Sequence, residues 1–141
     1  MFKLVLVIAG LVFPAAAMAC DQKPEKLPSS MVCVESLCVS GRCQENSILF
    51  ESLNSKNATA FYELESFNRD AEVTQSCEND KVQISANDGE QLDGISLVRE
   101  DVKKLRLGRA GHIMGIREVG YWYADGDHTT SVSVVECMVV D

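Results

Sequence analysis

Six cysteines and two histidines carry most of the reactive chemistry in this 141-residue chain. A redox site would need Cys-x-x-Cys, and no such pair occurs. Zinc thiolate sites use closely spaced Cys pairs. Cys33, Cys38 and Cys43 instead follow one another five residues apart, with Cys20, Cys77 and Cys137 standing alone. Structural disulfides through Cys20, Cys33, Cys38, Cys43, Cys77 and Cys137 are the expectation. Six cysteines allow 15 pairings, which spacing does not resolve. Joining Cys77 to Cys137, the two outside the N-terminal cluster, would contribute about 4 kcal/mol in the chain-entropy view.

The histidines could serve as general bases if each had an orienting carboxylate and a nucleophile in reach. His128 follows Asp125 and Asp127 and precedes Ser131 and Ser133, while His112 lies in a glycine-rich stretch near Arg109. Turn polarity explains the Asp and Ser neighbours more simply. Asp125-Gly-Asp127 and Asn87-Asp-Gly-Glu90 offer oxygen ligands, but neither has the spacing of a calcium loop. Gly108, Gly111 and Gly115 do not open a helix after a strand, so no phosphate cradle is expected. Asn57-Ala58-Thr59 is a glycosylation sequon in a host that uses it. No catalytic residue, cofactor or metal ligand is assigned.

The aromatic cluster is the best binding candidate. Tyr121, Trp122 and Tyr123 stand together, and Trp122 is the only tryptophan. In a strand the two tyrosines face one way and the tryptophan the other. One side belongs to the core. The other, with Arg109, His112 and Arg117, forms the candidate binding surface, since aromatic and Arg side chains dominate recognition hot spots.

These residues are read in the light of the first twenty. Lys3, the apolar run Leu4–Phe13, Pro14 and the small residues Ala15–Ala19 have the order of a secretory leader, with Ala17 and Ala19 as an A-x-A cleavage site. Residues 1–19 are then a signal peptide and 20–141 one mature domain. The run is too short to span a bilayer. A periplasmic or extracellular location follows, and it favours disulfides. A lipid anchor on Cys20 is the alternative; it would leave five cysteines and an unpaired thiol.

Loss of Lys3 takes the net charge from −8 to −9. Such an acidic chain does not bind nucleic acid through its overall charge. Acidic residues concentrate in 45–93 and basic ones in 99–117, which suggests neutralisation across paired strands.

The elements that must position these residues are mostly strands. Pro24 and Pro28 make 20–30 an irregular arm, and the cysteine-dense segment must turn near Ser40-Gly41. Strands are expected at 47–53, 58–67, 73–77, 81–86 and 94–99, with a turn at Asn87-Asp88-Gly89. Segment 102–107 reads as either a strand or a helical turn. Segments 116–123 and 129–140 form a hairpin across Asp125-Gly126. The expected fold is mostly β, a small antiparallel sandwich or barrel-like meander, with a disulfide-stapled arm over 20–46 and a β core over 47–141.

A non-enzymatic exported binding domain for a protein or glycan partner fits these features best. The alternatives are a small hydrolase using His112 or His128, and a protease-inhibitor-like protein presenting the Cys33–Cys43 loops.

Overall fold

The computed structural model describes residues 24–76 and 78–140. Among them, nine antiparallel strands form one sheet around a single core. In chain order they are β1 (Ser30–Val39), β2 (Arg42–Glu51), β3 (Thr59–Tyr62), β4 (Phe67–Asp70), β5 (Glu72–Ser76), β6 (Lys81–Ser85), β7 (Gln91–Val98), β8 (Ile113–Trp122) and β9 (His128–Val139). One helix, α1 (Arg99–Arg106), lies between β7 and β8.

The spatial order is β4-β3-β2-β1-β9-β8-β7-β6-β5. The two outermost strands, β4 and β5, are therefore consecutive in the chain, separated only by Ala71. Segment 67–76 behaves as one bent strand whose first half pairs with β3 and second half with β6. The bend is fixed where the Ala71 N–H donates to the Ala58 carbonyl at 2.8 Å. This brings the sheet round on itself into a nearly closed barrel.

Side chains alternate inward and outward as the pleat requires. On β1, Met31, Cys33 and Glu35 point in; on β8, Ile113, Gly115, Arg117 and Val119 do. A Cβ at Gly115 would lie 2.5 Å from the buried Leu97 side chain and 3.1 Å from the Ser96 carbonyl, so glycine there eases the close approach of β7 and β8. The helix closes one end of the barrel with Val102 and Leu105. Glu100 and Asp101 in its first turn and Lys103, Lys104 and Arg106 in its last suit the helix dipole. It stops at Leu107, followed by Gly108 at φ 72°, the left-handed residue common after helix ends.

The arm does more than trail. Leu27 and Pro28 are buried, and Glu25 is tied to β5. Its N–H donates to the Gln75 side chain at 2.8 Å, and the Gln75 amide donates back to the Glu25 carbonyl at 2.7 Å. Arg106 of α1 pairs with the Glu25 carboxylate at 3.0 Å.

Several expectations change. The division into an arm over 20–46 and a core over 47–141 does not hold, because β1 lies in mid-sheet between β2 and β9. Met31 and Cys33 are core residues. The expected strand 58–67 is a hairpin of β3 and β4, because Ser66 adopts φ 54° and the chain reverses over 63–66. The undecided segment near 102–107 belongs to a helix that begins at Arg99. Cys137 does not join Cys77; it bonds Cys33, its direct partner across β1 and β9. A second bridge among the described residues, Cys38–Cys43, spans the β1–β2 hairpin next to its turn. Cys20 and Cys77 lie outside the described residues, as does the leader.

The turn predicted near Ser40-Gly41 is there, with φ 52° and 78° at the two residues. That pair of positive dihedrals suits a tight hairpin. Residues 36–45 are thus an exposed hairpin tip of two paired strands and a two-residue turn, stapled by Cys38–Cys43 and extending beyond the β1–β9 pairing, which ends at Glu35.

Candidate functional site

Two constellations stand out, one inside the barrel and one on its outer face. Inside, four inward positions on four strands converge: Glu35 on β1, Tyr62 on β3, Asp93 on β7 and Arg117 on β8. The Arg117 guanidinium grips Asp93 with two bonds, Nε to Oδ1 at 3.0 Å and Nη2 to Oδ2 at 2.7 Å. Its Nη1 reaches Glu35. From across the barrel the Tyr62 hydroxyl donates to Asp93 Oδ2 at 2.7 Å. All four residues are buried.

Burial alone would lower the pKa of the Arg117 guanidinium. The hydrogen bonds and charges of Asp93, then those of Glu35, outweigh it and leave the pKa raised. Burial first, then the Asp93 carboxylate, pushes the Tyr62 phenol well above the usual tyrosine range. Arg69 caps this group from β4. It lies 4.8 Å from the Phe67 ring centre and 5.3 Å from that of Tyr62, and those two rings are stacked 4.8 Å apart. Arg69 also donates to the Ala86 carbonyl and to Gln91, and pairs with Asp88 at 3.1 Å. It thus bridges the seam between β4 and the β6–β7 turn. Chemically this is a fastener: Tyr62 and Arg117 spend their protons on internal partners.

The raised Tyr62 pKa has a measurable sign. An unfolded tyrosine ionises near pH 10, while the folded one keeps its proton. Above that pH the unfolded chain binds fewer protons, so the stability present at lower pH falls as pH rises. The slope is at most about 1.4 kcal/mol per pH unit. Urea midpoints measured between about pH 9 and 11 should fall, and fall less in Tyr62→Phe.

The outer constellation sits on β6–β9. Two glycines, Gly94 on β7 and Gly120 on β8, leave a groove of about 230 Å³ over the sheet. Its walls include Gln83, Ser85, Leu92, Glu118 and Thr130. The side chains of Gln83, Ser85, Glu118 and Thr130 make no hydrogen bond to other described residues. Trp122, the next outward residue on β8 after Gly120, is 50 % exposed and contacts His128 with ring centres 4.9 Å apart. Farther along the same face, Met114, Ile116, Val132 and Val134 are all about half exposed or more. Ile116 and Val134 are direct cross-strand partners.

The residues singled out in the sequence are not brought together. Arg117 is 7 % exposed and inside the barrel, so it leaves the candidate surface. The physical reason is pleat parity, since Arg117 shares the inward face of β8 with Ile113 and Val119. Arg109 and His112 are exposed at the helix end, with His112 Nδ1 3.6 Å from Glu136. Tyr121, Trp122 and Tyr123 are exposed at the opposite end of β8. At about 3.3 Å per residue, nine residues put His112 roughly 30 Å from Tyr121. His128 packs on Trp122 and pairs with no carboxylate among the described residues.

Sequence reasoning missed Glu35, Asp93 and both groove glycines. The interior acids did leave a signal: Glu35 keeps step with Met31 and Cys33, and Asp93 with Ile95 and Leu97, each a charge on an otherwise apolar face. No family model, curated protein or solved structure matches the chain.

Proposed function

We propose that this protein is an exported, non-enzymatic binding module that recognises its partner through the outer face of the β8–β9 ribbon. One observation carries the reading. Val132, Val134, Met114 and Ile116 are 64, 60, 53 and 48 % exposed on one side of neighbouring strands. Contiguous apolar surface of this kind marks interaction sites. The apolar alternation of the last strand, Val132, Val134 and Met138, is therefore on the solvent side, while Val135 and Cys137 supply the core. The secretory-type leader and the two disulfides support export, and no helix among the described residues is long and apolar enough to cross a membrane.

The test is comparative capture from the envelope of the source cell. Val132→Lys with Val134→Lys changes only exposed positions, sets opposite rather than like charge across from Glu118, and should leave the thermal transition nearly unmoved. Material retained by the parent protein should be lost from this variant and kept by Lys103→Ala with Arg109→Ala, exposed positions of the helix and the link that follows it. Equal retention by all three would place recognition elsewhere. No specific retention by any would end the binding-module reading.

A further inference from the structure

We infer that the groove over Gly94 and Gly120 binds one ring of a neutral saccharide, with Trp122 as its stacking platform. The inference rests on the binding-module reading and names a ligand class for the same outer face.

The lining chemistry selects the class. Gln83, Ser85 and Thr130 can each donate and accept a hydrogen bond, and Glu118 accepts. That is the complement of a ligand rich in hydroxyl groups. Because these side chains have no hydrogen-bond partner among the described residues, a ligand displaces only water from them. No Lys or Arg lines the groove, so phosphate and carboxylate groups find no counter-charge, and Glu118 repels them. The space is below the roughly 300–1,000 Å³ of pockets for drug-sized ligands, and it is an open trough rather than an enclosed apolar cavity. It suits a single ring of a longer chain and not an acyl tail.

Trp122 supplies the apolar half of sugar recognition. It follows Gly120 on the outward side of β8, about 6.6–6.8 Å along the strand. Its backbone N–H is held by the Glu90 carbonyl at 2.9 Å, beyond the last β7 pair. His128 packs beside the indole without burying it. A sugar ring laid along β8 can therefore set its C–H face on the indole and its hydroxyls over the two glycines.

The groove can be filled without breaking the fold. Neither glycine has a positive φ. A Cβ at Gly94 would meet the movable Gln83 amide at 3.4 Å, and one at Gly120 would meet Leu92 at 3.7 Å. Gly94→Val and Gly120→Val should thus occupy the space with the sheet intact, as a thermal transition would verify.

The probes are chitotriose, maltotriose and the acidic trigalacturonate, each titrated to millimolar concentration. The readouts are the fluorescence of the single tryptophan and the amide shifts of residues 83–85, 92–94 and 118–122. At least one neutral trisaccharide should shift both saturably, and trigalacturonate should not. Gly94→Val and Trp122→Ala, the latter followed by amide shifts, should each weaken that binding about tenfold or more. Silence from both neutral probes, full binding by Gly94→Val, or equal binding of the acidic probe would overturn the assignment. If the sugars fail while envelope capture still depends on Val132 and Val134, only the saccharide inference falls. If capture fails too, both fall.

Discussion

Replacing Arg117 with methionine should destabilise the fold by about 3–5 kcal/mol, the cost of leaving partners of a buried ion pair uncompensated. The substitution strands Asp93 and Glu35 in the barrel, and Asp93 loses two of its hydrogen bonds at once. Urea unfolding at neutral pH measures the loss directly. A companion variant isolates its origin. Changing Glu35 and Asp93 to leucine, Tyr62 to phenylalanine and Arg117 to methionine removes every polar member together. That variant should recover most of the stability, since apolar replacement of a whole buried network is often neutral or better. Arg109→Ala, at an exposed position, should move stability by no more than about 0.5 kcal/mol. An Arg117→Met loss below about 1 kcal/mol would mean that water reaches the carboxylates.

The second large effect belongs to Cys33–Cys137. The bridge joins residues 104 apart in the chain. Closing a loop near 100 residues is worth about 4.7 kcal/mol in the chain-entropy relation. Cys33→Ala with Cys137→Ala should therefore cost about 4–5 kcal/mol, before any cavity left at two fully buried positions. The Cys38–Cys43 bridge closes a separation of only 5. By the same relation its removal should cost only about 2 kcal/mol. Parallel denaturant curves for the two double variants, with and without reductant, check the ranking. Equal losses from both would show that native packing, not loop closure, sets their value. Thiol labelling of the denatured parent protein should give no signal, as an even set of six oxidised cysteines predicts.

The legible parts of the fold were those written in local chemistry. Ser40-Gly41 and Asp125-Gly126 announced their turns because positive φ belongs to few residue types. The β8–β9 hairpin was visible because its alternation is long and its turn is unambiguous. Helix α1 was not, because eight residues with no side-chain cap at Val98 are held by burying Val102 and Leu105, a tertiary gain. Arg117 reads as surface in the sequence because arginine is rarely buried, and its pairing with two distant acids explains its place. Of the candidate cluster, Arg109, His112 and the three aromatic residues are exposed, but at opposite ends of β8. The groove beside the aromatic end escaped notice because a glycine's missing side chain leaves no pattern to read. The closure of the sheet was hidden for another reason. Nothing local says that β4 and β5 are two halves of one strand, since their partners lie on opposite flanks of the sheet.

That shared strand bears on how the protein behaves among its own copies. Open sheets end in unpaired backbone that templates association between molecules. Here both ends meet at Ala71, with Arg69 bridging one margin and the Glu25–Gln75 bonds the other. A proteolytic nick or an insertion at Ala71 would uncouple the halves and release two adhesive edges at once. Damage at this one residue would therefore register as concentration-dependent aggregation, while an equal cut in the exposed turn near Gly126 would leave the edges sealed.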